Sequence, residues 1–560
     1  MKRVLLFAFI MLVGIVMHAQ AFQWAKQFSG SSANYSISLD LCPGGEMVVS
    51  GGFEGTVDFD PGEGTYNLTS FGDKDVYVAK IGLAGDLIWV KQIGGSAENF
   101  PRNVSCDAAG NIYITGVFQG TCDMDPGEET HNFTSMGGRD IFIVELSGDG
   151  EFIWAGQLGG IFDGTGTDIA VAPSGNIYIS GYYIGNFDFD PGAAEYYMTA
   201  TGQSIFTEKL NSNHEFVWAK TVGGPLFDYC QTLCLDESEN VYTIGSFKGV
   251  ADFDPGDGTV YLTSAGGNDI YVNKLNSNGA YVWAKQMSGA SDEFGQGIVY
   301  DNDANLYITG NFKGMVDFAP DAGGLDVTSF GDYDIFTGKM NTDGSVLWVN
   351  QMGGIETQSG QSITMDNSNN LYITGFFAGT ADFNPGAGTY EMTSRGDLDI
   401  FVSKLKTDGS FVWAAGMGGT LYDRGMSVVT TESNVYTVGF FAGTADFDPG
   451  PANFDLTAQG EKSTFISKLG TALVGIEEDV SGSKVSVYPN PTGEDVQIEL
   501  DKVYPALSIS ICNVQGQIVQ SEKYSNVRSL SLKLDGAPGI YFLQLVTDEG
   551  QTERVKIVKK

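Results

Sequence analysis

All seven tryptophans of this chain fall at one position of an internal repeat: Trp24, Trp89, Trp154, Trp218, Trp283, Trp348 and Trp413. Successive gaps are 65, 65, 64, 65, 65 and 65 residues. A second marker keeps the same beat. It is Asp58-Phe59-Asp60-Pro61-Gly62, whose first Asp recurs at Asp123, Asp188, Asp252, Asp317, Asp382 and Asp446. A fixed period constrains the fold more than composition does, because each unit has to bury its apolar faces against a copy of itself.

One unit parses by alternation and turn residues. Residues 87–92 read as a strand carrying the Trp, and Gly94-Gly95 opens a polar loop. Residues 103–106 form a short strand, Asp107-Ala108-Ala109-Gly110 a tight turn, and residues 111–118 a β-rich strand. An insertion over 120–138 holds the Asp-x-Asp-Pro-Gly segment. A strand over 140–146, a turn at Gly148-Asp149-Gly150 and the next Trp strand over 152–157 complete the unit. Four strands per unit and no helix, seven times over, predict an all-β, seven-bladed β-propeller spanning residues 22–471. The unit exceeds the usual propeller repeat of roughly 40–50 residues by about the length of the insertion. The repeats open on an isolated Trp strand (22–28) and end at 464–469 without one. The N-terminal strand is therefore expected to complete the last blade and close the ring, which removes free sheet edges.

The ends and the charge bound the setting. Lys2 and Arg3 precede the apolar run 4–17 and Ala19-Gln20-Ala21, so residues 1–21 read as a signal peptide. No later stretch is apolar for long enough to predict a transmembrane segment. The repeat region carries 19 basic against 57 acidic residues. Such a surface repels nucleic acid and anionic lipid. The six cysteines form no CxxC pair, and Cys230 and Cys234 lie too far apart along one strand to bridge. Small buried thiols are expected rather than a disulfide framework.

The recurrent residues first read as scaffold. The Trps are expected to pack between blades, and Asp107, Asp236, Asp301 and Asp366 to form Asx turns. Lys80, Lys209, Lys274, Lys339, Lys404 and Lys468 are expected to pair with nearby acids. The insertion loops allow a second reading, because alternate carboxylates on an extended segment share a side and hard cations take oxygen ligands. On that reading the candidate calcium ligands are Asp58, Asp60, Asp123, Asp125, Asp188, Asp190, Asp252, Asp254, Asp446 and Asp448. Copies five and six depart from it with Ala319 and Asn384 at the second Asp. The loop entering each next blade carries Glu98, Asp163, Asp228, Asp292, Glu293, Glu356 or Asp423, on the same face as the insertions. Two acidic loop sets are thus expected to crowd one face, the default interaction surface. Outside residues 1–21 only His131 and His214 occur, too few for a catalytic triad or a zinc site.

After residue 471 the period stops. An acidic linker (472–483) leads into Tyr488-Pro489-Asn490-Pro491, an alternating strand over 507–514, then Gly539-Ile540-Tyr541-Phe542-Leu543 and a basic end with Lys556, Lys559 and Lys560. Residues 484–560 read as a small β-sandwich. In this order the motifs resemble the type A sorting domain of the Bacteroidota type IX secretion system. The resemblance implies handling by the type IX machinery and delivery across the outer membrane, to the cell surface or the medium. The repeats, with Gly110-Asn111-Ile112-Tyr113-Ile114-Thr115-Gly116, resemble the bacterial SBBP-type propeller repeats, a family of no single activity. The expectation is therefore an exported binding or adhesion module for an extracellular glycan or protein. A carboxylate-dependent polysaccharide hydrolase and a purely structural surface protein are the alternatives.

Overall fold

The beat of the tryptophans becomes a ring of four-stranded antiparallel sheets. The computed structural model describes residues 20–301, 303–320, 323–473, 485–488, 492, 495–513, 518–534, 539–547 and 552–559. The expected signal peptide falls almost wholly outside these residues, as do most of the linker and Pro489, Asn490, Pro491 and Lys560. The chain divides into two compact units, one of them Gln20–Leu473.

In that unit the second blade shows the pattern. Asn99–Cys106, Ile112–Phe118, Asp140–Leu146 and Phe152–Gly160 pair in order, each antiparallel to the next. The inner strands of the seven sheets are Asn34–Leu41, Asn99–Cys106, Gly164–Val171, Tyr229–Leu235, Phe294–Tyr300, Gln358–Met365 and Arg424–Thr430. Each packs against the next and the last against the first, which closes the ring. In the seventh sheet Gln20–Gln27 pairs with Ser463–Leu473 and supplies the outer strand. Both faces of a blade are apolar because each meets a neighbour. Val76, Val78 and Ile93 of the first blade share a core with Ile114, Phe142 and Val144 of the second. Burying one such side chain contributes about 1.5–3 kcal/mol.

The insertion is more than a loop. Thr121–Asp123 and Asn132–Thr134 form a hairpin, and Thr121–Asp123 pairs with Gly94 and Gly95 at the end of the preceding blade's outer strand. Three-residue strands are too short for alternation to reveal them.

The Trps do pack between blades, and the contact is specific. Trp89, Trp218 and Trp283 donate Nε1–H to the carbonyls of Gly148, Ser277 and Thr342, each in a hairpin turn of the next blade. The turn then needs a glycine: at Gly150 φ is 79° and a Cβ would sit 3.1 Å from the Trp89 ring. His214 is the exception. It holds φ at 65°, stacks on Trp154 at 4.4 Å and bonds Glu145 through Nε2. The lysines reach the same carbonyls from Lys80, Lys209 and Lys274. They also lie over tyrosine rings, Lys209 over Tyr178 at 5.0 Å and Lys274 over Tyr242 at 4.8 Å. Of the ion pairs expected for them, Lys209–Glu239 is close at 3.0 Å, while Lys274–Asp236 spans 4.0 Å.

One expectation is corrected. Cys42 and Cys106 form a disulfide with Cα atoms 5.3 Å apart. They are 64 residues apart in sequence. Inner strands lie side by side, so residues about one period apart meet across a blade boundary, a proximity that spacing along one strand does not show. Cys122 and Cys230 are buried thiols, as expected.

In the C-terminal unit Asp495–Asn513 is the spine. Its first half pairs with Val485–Tyr488, its second with Gly539–Thr547, and Ile518–Lys533 pairs along it. Thr552–Lys559 completes the sheet beside Gly539–Thr547. Val496, Ile509, Leu532, Leu543 and Ile557 are at its core. Among the described residues no helix is long and apolar enough to cross a membrane.

Candidate functional site

The Asp-x-Asp-Pro-Gly segments sit at the turns of the inserted hairpins, on the outer edge of the ring. Asp58 Oδ1 accepts the N–H groups of Asp60 at 3.1 Å and Tyr66 at 2.7 Å. The pattern recurs in every copy, at Asp123, Asp188, Asp252, Asp317, Asp382 and Asp446. Asp60 Oδ1 in turn accepts from Gly62 N–H, as do Asp125, Asp190, Asp254 and Asp448 from their glycines. Asn384 makes the same bond without a charge. Six of the seven copies thus place an acceptor oxygen here, charged or not, as an Asx turn uses, and copy five with Ala319 does without it. Between the two Asps, Phe59 is fully buried against Phe28, Phe53 and Tyr77. Among the described residues no group of three or more His, Cys, Asp or Glu side chains is arranged to hold a metal ion.

The face that carries these hairpins is less openly acidic than its sequence implies. Glu98 pairs with Lys74 at 3.0 Å and Asp163 with Arg139 at 3.3 Å. Asp228, Glu293 and Asp423 are buried, and their carboxyls accept the N–H groups of Gly224, Gly289 and Gly419. A further buried column is Asp75, Asp140, Asp334 and Asp399, which open third strands, with Asp269 equivalent to them inside Tyr261–Leu275. Each accepts the N–H four residues before it, at Phe71, Met136, Ala265, Phe330 and Arg395. Burial pushes these carboxyls above the usual range, Asp399 to about 7. Burial, then the charge of Asp269, raises Glu293 to about 8. The column was readable as Asp-Ile/Val-Phe/Tyr at fixed period, but sequence reasoning passed over it.

At the centre of the ring the inner strands enclose a channel with a cavity of about 170 Å³. Ile37, Arg102, Thr167, Gln231, Gln296, Gln361 and Met426 line it, one from each blade. Asp168 beside it is buried and bridges two blades. Its Oδ1 accepts from Ile169 N–H at 2.9 Å and its Oδ2 from Leu233 N–H, in the next blade, at 2.7 Å. Burial raises its pKa to about 7, and that of Asp40, which accepts from Cys106 N–H in the next blade, to about 6.

The channel opens, on the hairpin face, among the heads of the inner strands. There the repeat is irregular: Tyr35, Phe100, Thr165, Tyr229, Phe294, Ser359 and Arg424 are equivalent. A pocket of about 250 Å³ lies between the fourth and fifth blades, lined by Tyr229, Gln231, Ser246, Asn268, Phe294 and Gln296. Cations gather on the aromatic rings of this rim. Arg424 lies over Phe376 at 4.1 Å and Tyr422 at 4.5 Å, and Lys462 over Phe440 at 5.0 Å. Ring faces, amides and cations hold and orient a ligand. None of these mouth residues was singled out in the sequence, because they follow no repeat.

Of the sorting-motif residues, Tyr541 is buried and Tyr488 exposed. Lys559 Nζ donates to Leu534 O at 2.7 Å.

The chain is similar to three known families or proteins over part or most of its length. Residues 486–560 match the family described as a secretion system C-terminal sorting domain, the Por type. In an alignment of 518 positions that covers 78% of this chain, the sequence is 21% identical to an uncharacterized WD repeat-containing protein of Acanthamoeba polyphaga mimivirus. The chain spans 36% of that relative's length. The Pan2 WD40 domain of Neurospora crassa aligns over 80% of this chain and 97% of its own, with 8% identity and a TM-score of 0.36.

Proposed function

We propose that this chain is an exported binding module, carried across an outer membrane by its C-terminal domain and presenting the channel mouth to an extracellular ligand. The observation that carries the reading is the match of residues 486–560 to a secretion-system sorting domain. On this reading the type IX machinery of a Bacteroidota-like host recognises the C-terminal unit, and residues 22–471 are SBBP-type cargo. The ring supports a binding role: its scaffold positions repeat, whereas the residues at the mouth differ from blade to blade, as a ligand of low symmetry demands.

Deleting residues 484–560 tests it. In a host with a type IX system the truncated chain should accumulate in the periplasm, with the ring still folded by circular dichroism and protease resistance. Surface or medium appearance equal to that of the full chain would remove the basis of the reading.

A further inference from the structure

We propose that the mouth of the channel over the sixth and seventh blades binds a carboxylate-bearing sugar, with Arg424 as the anchor of the carboxylate. This rests on the binding-module reading and names its ligand class.

Cations are scarce in this unit, 19 against 57 acids, and on this face most are committed. Lys74, Arg139, Lys313 and Arg395 sit 2.6–3.3 Å from a carboxylate oxygen of Glu98, Asp163, Asp332 and Asp446 respectively. Arg424 and Lys462 have no carboxylate in reach among the described residues. Arg424 is held by rings instead. Its guanidinium lies between Phe376 of the sixth blade and Tyr422, and Tyr422 stacks on Phe440 at 6.0 Å and 19°. Lys462 lies over the same two rings, at 5.5 Å from Tyr422 and 5.0 Å from Phe440. A cation over a ring face is attracted to it, but the N–H donors in the guanidinium plane stay unused. Arg424 Nε is sealed without an acceptor, as Arg102 Nε is, so the donors a ligand can reach are those of the two terminal nitrogens.

The scaffold does not require this arginine. Its six counterparts are Tyr35, Phe100, Thr165, Tyr229, Phe294 and Ser359, none of them charged. Two of those counterparts, Tyr229 and Phe294, line the mouth pocket, which places Arg424 at the same rim. A half-buried, pre-oriented guanidinium fork with unfilled donors matches a planar carboxylate bidentately.

The rest of the ligand follows from charge and lining. A net repeat charge of −38 repels polyanions at long range, so a compact ligand with one negative group is favoured over a nucleic acid or a heavily sulfated chain. The neighbouring surface offers the Tyr35–Phe100 ring pair and the amide of Gln296, groups that suit a hydroxyl-bearing ring better than an apolar side chain. A hexuronate unit combines both requirements.

Calorimetry on the full chain tests this with glucuronate, glucose, acetate and a tripeptide with a free C-terminus as probes. Glucuronate should bind at least about tenfold more tightly than glucose or acetate, since it fills both the charged bonds and the ring surface. Arg424→Gln should lower its affinity by about tenfold or more. Arg424→Lys, which keeps the charge and loses the fork, should retain part of it, and Lys313→Gln should leave it unchanged. Unchanged melting temperatures show that the variants fold. Equal affinity for glucose and glucuronate, unaltered binding by Arg424→Gln, preference for the tripeptide, or no binding of any probe would each overturn the assignment. Export of the same variants is read separately, so a failed site leaves the module reading standing.

Discussion

Stability of the ring should fall as pH rises from 5 to 8, and Asp168 is the residue on which to measure it. Its carboxyl is buried beside the channel and tied to Ile169 and, across a blade boundary, to Leu233. Burial raises its folded pKa to about 7, against about 3.9 for an unfolded Asp. Folding therefore favours the proton-bound form. That advantage is complete below the unfolded pKa, is lost as pH climbs toward the folded pKa, and changes no further above it. Between pH 5 and pH 8 roughly two pH units lie inside this window, which corresponds to about 2–3 kcal/mol lost from this group alone. Asp168→Asn keeps the neutral shape at every pH. The amide has one acceptor oxygen for two N–H groups, so the variant carries an offset of about 1–3 kcal/mol. That offset is the same at both pH values and drops out of the comparison. Urea unfolding of the full chain, followed by tryptophan fluorescence at pH 5 and pH 8, reads the difference directly. The variant should lose about 2–3 kcal/mol less than the parent over that interval. Parallel pH dependence of the two proteins would show that Asp168 is ionised in the fold and that the argument from burial fails.

Other outcomes follow from the same contacts. Trp283→Phe removes the bond to Thr342 O at 2.9 Å and should lower stability by about 1 kcal/mol; an unchanged thermal midpoint would demote the bond to incidental contact. Deleting residues 22–28 strips the outer strand from the seventh blade and uncovers Phe465 and Ile466 on Ser463–Leu473. The shortened chain should aggregate or melt earlier, and equal stability would argue against closure by that strand. Millimolar calcium should raise the melting temperature no more than magnesium or matched monovalent salt, because Oδ1 of Asp58 and of Asp60 already serves the turn by accepting backbone N–H groups. A calcium-selective rise that Asp58→Asn with Asp60→Asn abolishes would instead make those loops metal sites.

The repeat made the ring legible because its signals are local and recur seven times. Trp spacing, turn residues and the lone N-terminal strand each report backbone conformation within a few residues. The packing of the Trps between blades was legible in that spacing, but the bond from Trp89 to the turn at Gly148 was not. What lay hidden depends on contacts across blade boundaries. The Cys42–Cys106 bridge joins strands a period apart. The buried Asp column looks in sequence like ordinary polar residues at strand heads, and only packing shows that Asp75 or Asp269 is sealed from water. Charge counting therefore overstated the acidity of the exposed face, since counts do not distinguish a solvated carboxylate from a buried cap.

The same distinction separates scaffold from function at the level of single positions. Asn384 can replace the second loop Asp because the turn needs only an oxygen, and Ala319 simply forgoes the bond in one copy. Both departures make the repeat plainer. Arg424 departs in the other direction. It inserts a charge among aromatic rings, removes much of its water, and leaves Nε without an acceptor. Burying a polar group without its hydrogen bonds is unfavourable, and six other blades show that the strand head folds without it. A position that burdens the fold where plainer residues would serve is best explained by a partner that bonds its terminal nitrogens. Arg102, over Phe100 on the channel wall with its Nε likewise buried and unpartnered, is a second such position, and both point to the channel rather than to the conspicuous acidic loops.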